Sequence, residues 1–239
     1  MIDRLDADRL AELWDFREPE ASVRRFSDAS AGGPVEAAEL ATQLARALGL
    51  AGRRADAEAV LDDVPDLAPV VRIRVALERG RLRNSAGERD AAVPWFEDAL
   101  DRAIGAGEDE LAVDVAHMLA IADPDHAAEW TDRGIQLIER SADPRVRRWS
   151  IALHNNLGWA FHDADAFAEA LAEFQRAAAA ADEHGSAEQR EVAQWAIARC
   201  LRSIGRSADA LAIQLHLLEV RPDDEHVRAE LAALGHELR

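Results

Sequence analysis

Small and large apolar residues alternate at helical intervals in the stretch 153–177. Gly158 is followed three residues later by Phe161, and Ala170 is followed one turn later by Phe174. Small residues let a neighbouring backbone approach, and aromatic rings fill the space beside it. The stretch therefore predicts two antiparallel, closely packed helices joined by the turn at 162–166.

The same spacing recurs along most of the chain. Five copies lie in register over 36–222, separated by 35, 35, 43 and 40 residues. A self-similar helix–turn–helix period is the signature of a repeat architecture. The third copy is the weakest, because its turn is one residue shorter. The alanines that mark the copies are Ala57, Ala92, Ala127, Ala170 and Ala210.

Capping signals agree with this periodicity. An acceptor before proline, or Ser followed three residues later by Gln, is typical of a helix start. We expect such starts at Asp123-Pro124, at Asp143-Pro144, and at Ser186 with Gln189.

Two features depart from the pattern. Pro94 falls inside a predicted second helix, where we expect a kink or one lost hydrogen bond. Arg79 and Arg83 stand where apolar residues are expected, which indicates a rotated or irregular helix.

The pattern resembles the tetratricopeptide repeat, a helix–turn–helix unit of about 34 residues. The resemblance implies an all-α, right-handed superhelical α-solenoid of about five repeats. We expect one domain over 1–239, with N-terminal capping helices in 1–35, repeats over 36–222 and a C-terminal capping helix over 223–239. Val227, Leu231, Leu234 and Leu238 share one face of that last helix. Leu5, Leu10, Leu13, Trp14 and Phe26 indicate one or two helices at the other end.

Composition narrows the function. All 28 basic residues are arginine against 46 acidic ones, a formal net charge of −18, which disfavours nucleic acid and anionic membranes as partners. The absence of Lys and Tyr indicates a GC-rich genome. The spacings of 40 and 43 residues resemble those of bacterial peptide-sensing repeat proteins, so a bacterial source is expected. A charged start and no long apolar run predict neither a signal peptide nor a membrane span. The expected location is therefore cytoplasmic.

The resemblance places the first helix of each pair along a concave groove. The windows 36–50, 69–84, 110–121, 144–162 and 187–203 hold 12 Arg and 7 acidic residues, whereas the rest of the chain is strongly acidic. The predicted groove is therefore basic.

Groove positions follow from the same resemblance. The residues directly after the small residue of each first helix are Arg46, Arg81, His117, Trp159 and Arg199. Arginine offers forked donors for carboxylates, and Trp offers a face for apolar or cationic groups. Further positions on the same faces are Arg74, Asn155, His162, Trp195 and Arg202. Trp95 and Trp130 fall on second helices, where packing is the simpler role.

Ordinary surface pairing stays open as the alternative, for example Glu78 with Arg81 or with Arg74. Tetratricopeptide domains that clamp a carboxylate use Lys, Asn and Arg in the groove. Asn156 matches the Asn of such a clamp, but its Lys positions are not Lys here, and the downstream pair is Val192 and Ala196. That specific clamp is therefore disfavoured.

No motif indicates catalysis or a metal. The eight His are scattered, with no His-Glu-x-x-His pattern, and no nucleophile elbow or Gly-rich phosphate loop occurs. The segment HDAD at 162–165 is interpreted as a turn. Cys200 is interpreted as a packed side chain.

These observations predict a non-enzymatic adaptor without cofactor that binds a peptide or protein segment, acidic or ending in a carboxylate, in its groove. The alternative is a regulatory sensor that changes shape on binding a small peptide or anion. Self-association into a homo-oligomer stays open.

Overall fold

The computed structural model describes residues 4–235, and these fold as helices joined by short turns. The chain divides into two compact units, 1–123 and 124–239, and each is described by itself. The helices of unit 1 are α1 (Ala7–Leu13), α2 (Pro19–Asp28), α3 (Pro34–Leu50), α4 (Arg54–Asp62), α5 (Pro69–Ser85), α6 (Arg89–Ala106) and α7 (Asp109–Ala122). Those of unit 2 are α8 (Ala127–Arg140), α9 (Pro144–Asp163), α10 (Phe167–His184), α11 (Ala187–Ser203), α12 (Ser207–Val220) and α13 (Glu225–Ala233).

Helices lie in the predicted order from α3 to α12, and four of the predicted pairs pack together: α3 with α4, α5 with α6, α9 with α10 and α11 with α12. All five marker alanines are buried: Ala57, Ala92, Ala127, Ala170 and Ala210. The weak third copy is the one that the boundary between the units divides, because α7 belongs to unit 1 and α8 to unit 2. The prediction of a single domain stays a prediction.

Close packing inside a pair depends on glycine opposite an aromatic ring. A Cβ added to Gly158 on α9 would lie 2.6 Å from Cδ1 of Phe174 on α10. One added to Gly80 on α5 would lie 2.4 Å from Cε1 of Phe96 on α6. Both rings are fully buried. The small-then-aromatic pattern therefore brings helix backbone directly against ring.

Three turns end their first helix with a left-handed glycine, Gly52, Gly87 and Gly205, each with φ near +78°. The backbone amide after each glycine bonds back into the last turn of the helix, as Arg53 N does to Leu48 O at 2.8 Å. Asp165, with φ of 57°, holds the same place between α9 and α10. HDAD is thus confirmed as the turn of the fourth pair.

Two of the three predicted helix starts are confirmed. The Asp143 carboxylate accepts from Arg145 N at the start of α9, and Ser186 with Gln189 forms a capping box on α11. The start at Asp123-Pro124 was wrong. Asp123 instead ends α7, and a 3₁₀ turn at Pro124–His126 precedes α8.

The two departures from the pattern leave the helices regular. Helix α6 runs on through Pro94, which is exposed, so proline costs at most the bond to the Asp90 carbonyl. The irregularity predicted at Arg79 and Arg83 was wrong. Helix α5 is continuous, and both guanidinium groups pair with Glu58 on α4.

The predicted ends are helical. Helix α2 buries Val23 and Phe26 in the core of unit 1. Helix α13 buries Val227 and Leu231 against α12, which confirms the closing helix over its described part. The predicted contribution of Leu238 lies outside the described residues.

Candidate functional site

A row of rings crosses the faces of α9, α11 and α13 in unit 2. Trp159 on α9 and Trp195 on α11 have ring centroids 5.9 Å apart. The row continues to His162 at 5.3 Å from Trp159 and to His226 on α13 at 6.1 Å from Trp195. Trp159 also rests edge-on against Phe174, at 4.9 Å. Both tryptophans are half-buried, so the row is anchored in the core and reaches the surface.

Trp195 carries a donor that the fold does not use. Its indole Nε1 is buried and has no hydrogen-bond partner among the described residues. A buried donor left without an acceptor costs about 1–3 kcal/mol. A ligand atom that supplied the acceptor would recover part of that cost.

Two adjoining clefts open on unit 2, and Trp195 and His226 of the row line the first of them. The first has a volume of about 310 Å³ and an apolar lining that includes Val192, Trp195, Leu217 and Val227. The second, of about 280 Å³, is lined by residues that include Ile151 and Asn155, and Val192 lines both. Val192 is 47% exposed, so its apolar side chain is open to solvent where the two clefts adjoin.

The rim of the first cleft is acidic. Glu188, Glu191 and Asp224 stand against one guanidinium, Arg221, a formal balance of −2. Arg221 pairs with Glu191 at 3.6 Å and with Asp224 at 3.3 Å. The cleft therefore combines an apolar floor with negative potential at its edge.

The remaining predicted residues of unit 2 are engaged within the fold. Arg202 pairs with both Glu230 oxygens, at 2.7 and 3.1 Å, and Arg199 pairs with the same carboxylate at 3.3 Å. His162 Nε2 lies 2.9 Å from Ser203 Oγ. Asn155 lines the second cleft, and Asn156 is its half-buried neighbour on α9.

In unit 1, Arg81 is the centre of a buried ion-pair network. Its guanidinium donates to Glu78 Oε1 and to Asp114 Oδ1, both at 2.5 Å. Burial alone would lower the pKa of Arg81, but the charges of Asp114 and Glu78 raise it above the ordinary arginine value. Burial likewise opposes ionisation of Asp114, yet Arg81 holds the pKa of that carboxyl below its ordinary value.

The other two predicted arginines of unit 1 differ from each other. Arg74 pairs with Glu39, not Glu78, at 3.2 Å. Arg46 forms no ion pair among residues 4–235, and its guanidinium lies over Trp14 at 5.3 Å and Phe16 at 5.6 Å. Burial, reinforced by the positive charge of Arg81, lowers the pKa of Arg46.

His117 lies half-buried on α7, near Asp114. Burial lowers the pKa of His117, and the negative charge of Asp114 only partly opposes the shift. His117 therefore binds a proton less readily in the folded state than in the unfolded state.

Acid should destabilise unit 1 in two stages. Because the pKa of His117 is lowered, the contribution of neutral His117 to the free energy of unfolding is complete above the ordinary pKa of 6.5. That contribution is lost as the pH falls below this value. The lowered pKa of Asp114 adds a second loss below its ordinary value of 3.8. His117→Gln should flatten the change in urea midpoint between about pH 7.5 and about pH 5.

His216→Gln is the matched control, because His216 is exposed on α12. An unchanged pH dependence in His117→Gln would contradict the assignment to His117.

Metal binding, a reactive thiol and a membrane span have little support in the described residues. Residues 4–235 contain no cluster of three His, Cys, Asp or Glu side chains placed to hold a metal. Cys200 is buried, its Sγ lies 3.4 Å from the Phe167 carbonyl oxygen, and burial raises the pKa of the thiol. No helix within 4–235 combines the length and apolarity needed to cross a bilayer.

Solved structures match this arrangement of helices. BtubC (BKLC) from P. vanneervenii aligns with a TM-score of 0.63 at 17% identity, over 97% of this chain and 93% of its own. The nearly identical TPR-like repeats of a Podosopora anserina putative kinesin light chain align with a TM-score of 0.55 at 20% identity, over 86% of this chain and 100% of theirs.

The chain has a tetratricopeptide-like fold. A point variant of the Podosopora anserina repeats gives the same TM-score of 0.55 at 20% identity, over 82% of this chain and 95% of its own. No protein-family model and no curated protein sequence matches the chain.

The structure groups the predicted positions by unit. Unit 1 holds Arg46, Arg74, Arg81 and His117, and unit 2 holds the other seven. Sequence reasoning named Glu78 as a possible partner of Arg81, which the structure shows, and missed the other carboxylates that pair with the predicted arginines: Glu39, Asp114 and Glu230. Only Glu78 had a local signal, three residues before Arg81. The acidic rim and His226 were also missed, because they lie after the last repeat or outside the predicted positions.

Proposed function

We propose that the protein is a non-enzymatic interaction module and that unit 2 binds a peptide segment across α9, α11 and α13. The observation that carries this proposal is the pair of adjoining clefts that share the exposed Val192, the first of them lined by Trp195. Peptide sites combine an apolar pocket with a few polar groups that fix orientation. Trp is enriched among residues that dominate binding energy.

Charge decides the chemistry of the segment. Arg199 and Arg202 share the single carboxylate of Glu230, so these two predicted groove residues keep a net charge of only +1 between them. The cleft rim instead carries Glu188, Glu191 and Asp224 against one arginine. We therefore propose an apolar side chain in the first cleft and a basic residue next to it, in place of the acidic segment that the sequence indicated.

The backbone of a bound peptide has a defined hydrogen-bond partner as well. A peptide carbonyl within reach of Trp195 would accept the indole hydrogen bond that the fold leaves unused. The ring row from Trp159 to His226 offers further faces for apolar or cationic groups.

Selection of peptides from a random library on the wild-type protein tests this function. We expect the selected peptides to share an apolar residue beside Lys or Arg. Val192→Glu should lower their affinity by at least about tenfold, because it places a charge between the two clefts. Replacing the basic peptide residue with Glu should weaken binding further.

Val220→Glu is the matched control, since Val220 is 52% exposed on α12 and lines neither cleft. Its affinity should equal that of the wild type. Acidic peptides that bind both variants equally would contradict the proposal and favour the prediction made from the sequence. The sensor alternative stays a prediction.

A further inference from the structure

A single face of α3 contacts the beginning of the chain. Glu36, Glu39, Gln43 and Arg46 are spaced by three, four and three residues, so they form one stripe along the helix. Arg46 is the predicted groove position of this repeat. The stripe is covered by the segment 4–16, here called the N-terminal segment.

Specific polar contacts hold the N-terminal segment on this stripe. Leu5 N donates to Glu39 Oε2 at 2.9 Å, and Trp14 Nε1 donates to Gln43 Oε1 at 3.1 Å. Arg9 pairs with Glu36. Every polar residue of the stripe except Arg46 therefore accepts a hydrogen bond from the segment.

Arg46 contacts the N-terminal segment through aromatic rings and not through a hydrogen bond. Trp14 and Phe16 stack on each other with centroids 4.5 Å apart and planes 3° from parallel. The Arg46 guanidinium lies over both rings. A cation–π contact strengthens when water is excluded from it, so the half-buried Trp14 makes a suitable platform for this cation.

The N-terminal segment contacts more than one helix of unit 1. Arg4 reaches Glu39 at 3.4 Å and Glu108, the residue just before α7, at 2.7 Å. Glu39 in turn accepts from Arg74 on α5 at 3.2 Å. The segment therefore follows the first helices of unit 1, as a peptide in a repeat groove would.

Burial differs between this segment and α2. Helix α2 buries Ala21, Ser22, Val23 and Phe26, whereas α1 contains no buried residue. Within the segment, Leu5 is buried, and Leu10, Leu13 and Trp14 pack half-buried against the same core. The side chains of Arg4 and Arg9 are 40% and 36% exposed. A segment with fewer buried residues than α2 opens at lower free energy.

We propose that this α3 face is a second peptide-binding surface, which the chain's own N-terminal segment occupies as a tethered ligand. A partner segment that replaces it carries an arginine for Glu36 and an aromatic pair for Arg46. The tether acts at an effective concentration of about millimolar, so a free peptide competes only after the segment is loosened.

The test uses the full chain and a fluorescent peptide of residues 4–17, with anisotropy as the readout. Arg4→Glu with Arg9→Glu loosens the segment and leaves the α3 face unchanged. The peptide should bind this variant at least about tenfold more tightly than it binds the wild type. Adding Glu36→Arg to the variant should abolish the gain.

Arg24→Glu with Arg102→Glu makes the same charge change at two exposed positions and should bind the peptide as the wild type does. Equal peptide binding by the loosened variant and the wild type would overturn the proposal. Hydrogen exchange of the wild type gives an independent check. Amides of 4–16 should exchange at least about tenfold faster than those of α3, and equal rates would overturn the proposal too.

Discussion

Replacing Arg81 with methionine is expected to lower the free energy of unfolding by about 3–5 kcal/mol. Methionine keeps much of the side-chain volume but leaves Glu78 and Asp114 without the guanidinium that joins them. The Arg81 and Asp114 side chains are only 12% and 11% exposed, and Glu78 is 2% exposed. Two buried carboxylates without their cation carry a large desolvation cost. Urea denaturation at neutral pH measures the loss.

Two comparisons make this result specific. Arg102→Met removes an exposed pair with Asp98, 2.7 Å long and 45% exposed on both sides, and should leave the urea midpoint nearly unchanged. The cost of Arg81→Met should shrink in acid, where the stranded carboxyls take up protons. Adding Glu78→Gln and Asp114→Asn should recover part of the loss. Equal costs for Arg81→Met and Arg102→Met would contradict the buried network.

Alanine at Gly158 is expected to destabilise the protein by about 1–3 kcal/mol, although alanine favours helix. The added Cβ would lie 2.6 Å from Cδ1 and from Cε1 of Phe174. The ring is fully buried and has Trp159 against it, so it cannot move aside without disturbing the aromatic row. Thermal or urea denaturation measures the change.

Gly105→Ala is expected to change the stability in the opposite direction. Gly105 lies inside α6, and nothing stands within 4 Å of an added Cβ, so the variant should gain up to about 1 kcal/mol. Phe174→Leu in the Gly158→Ala background should restore part of the lost stability by making room. A stabilising effect at both glycines would show that the helices do not meet at the Gly158–Phe174 contact.

The fold could be predicted because its determinants repeat locally. Alanine or glycine at fixed spacing, with an aromatic residue one turn later, predicts each helix. It also predicts the partner helix, because the small residue of one helix packs on the aromatic residue of the next, as Gly158 does on Phe174. The failure at Asp123-Pro124 has a local cause. The proline begins a 3₁₀ turn where the third copy is one residue short.

The site was less predictable because its charges are set by contacts between helices. The sequence predicts Arg81 as a groove cation. In the structure its guanidinium lies 2.5 Å from the carboxylate of Asp114, a residue 33 positions later in the chain. Glu230 pairs with both Arg199 and Arg202 from α13 and cancels one of their two positive charges, and the repeat pattern does not cover that helix. Aromatic positions were easier, since Trp159 directly follows the small residue of its repeat and Trp195 lies one helical turn before the equivalent position, Arg199.

The most direct measurement of the proposed peptide site is a titration of indole N–H resonances by NMR, with a library-selected peptide added to the full chain. The account predicts that the resonances of Trp195 and Trp159 move on binding, with Trp195 shifting downfield as its Nε1 gains an acceptor. Those of Trp95 and Trp130, on α6 and α8, should stay in place. Shifts confined to Trp95 and Trp130, or binding without any change at Trp195, would contradict it.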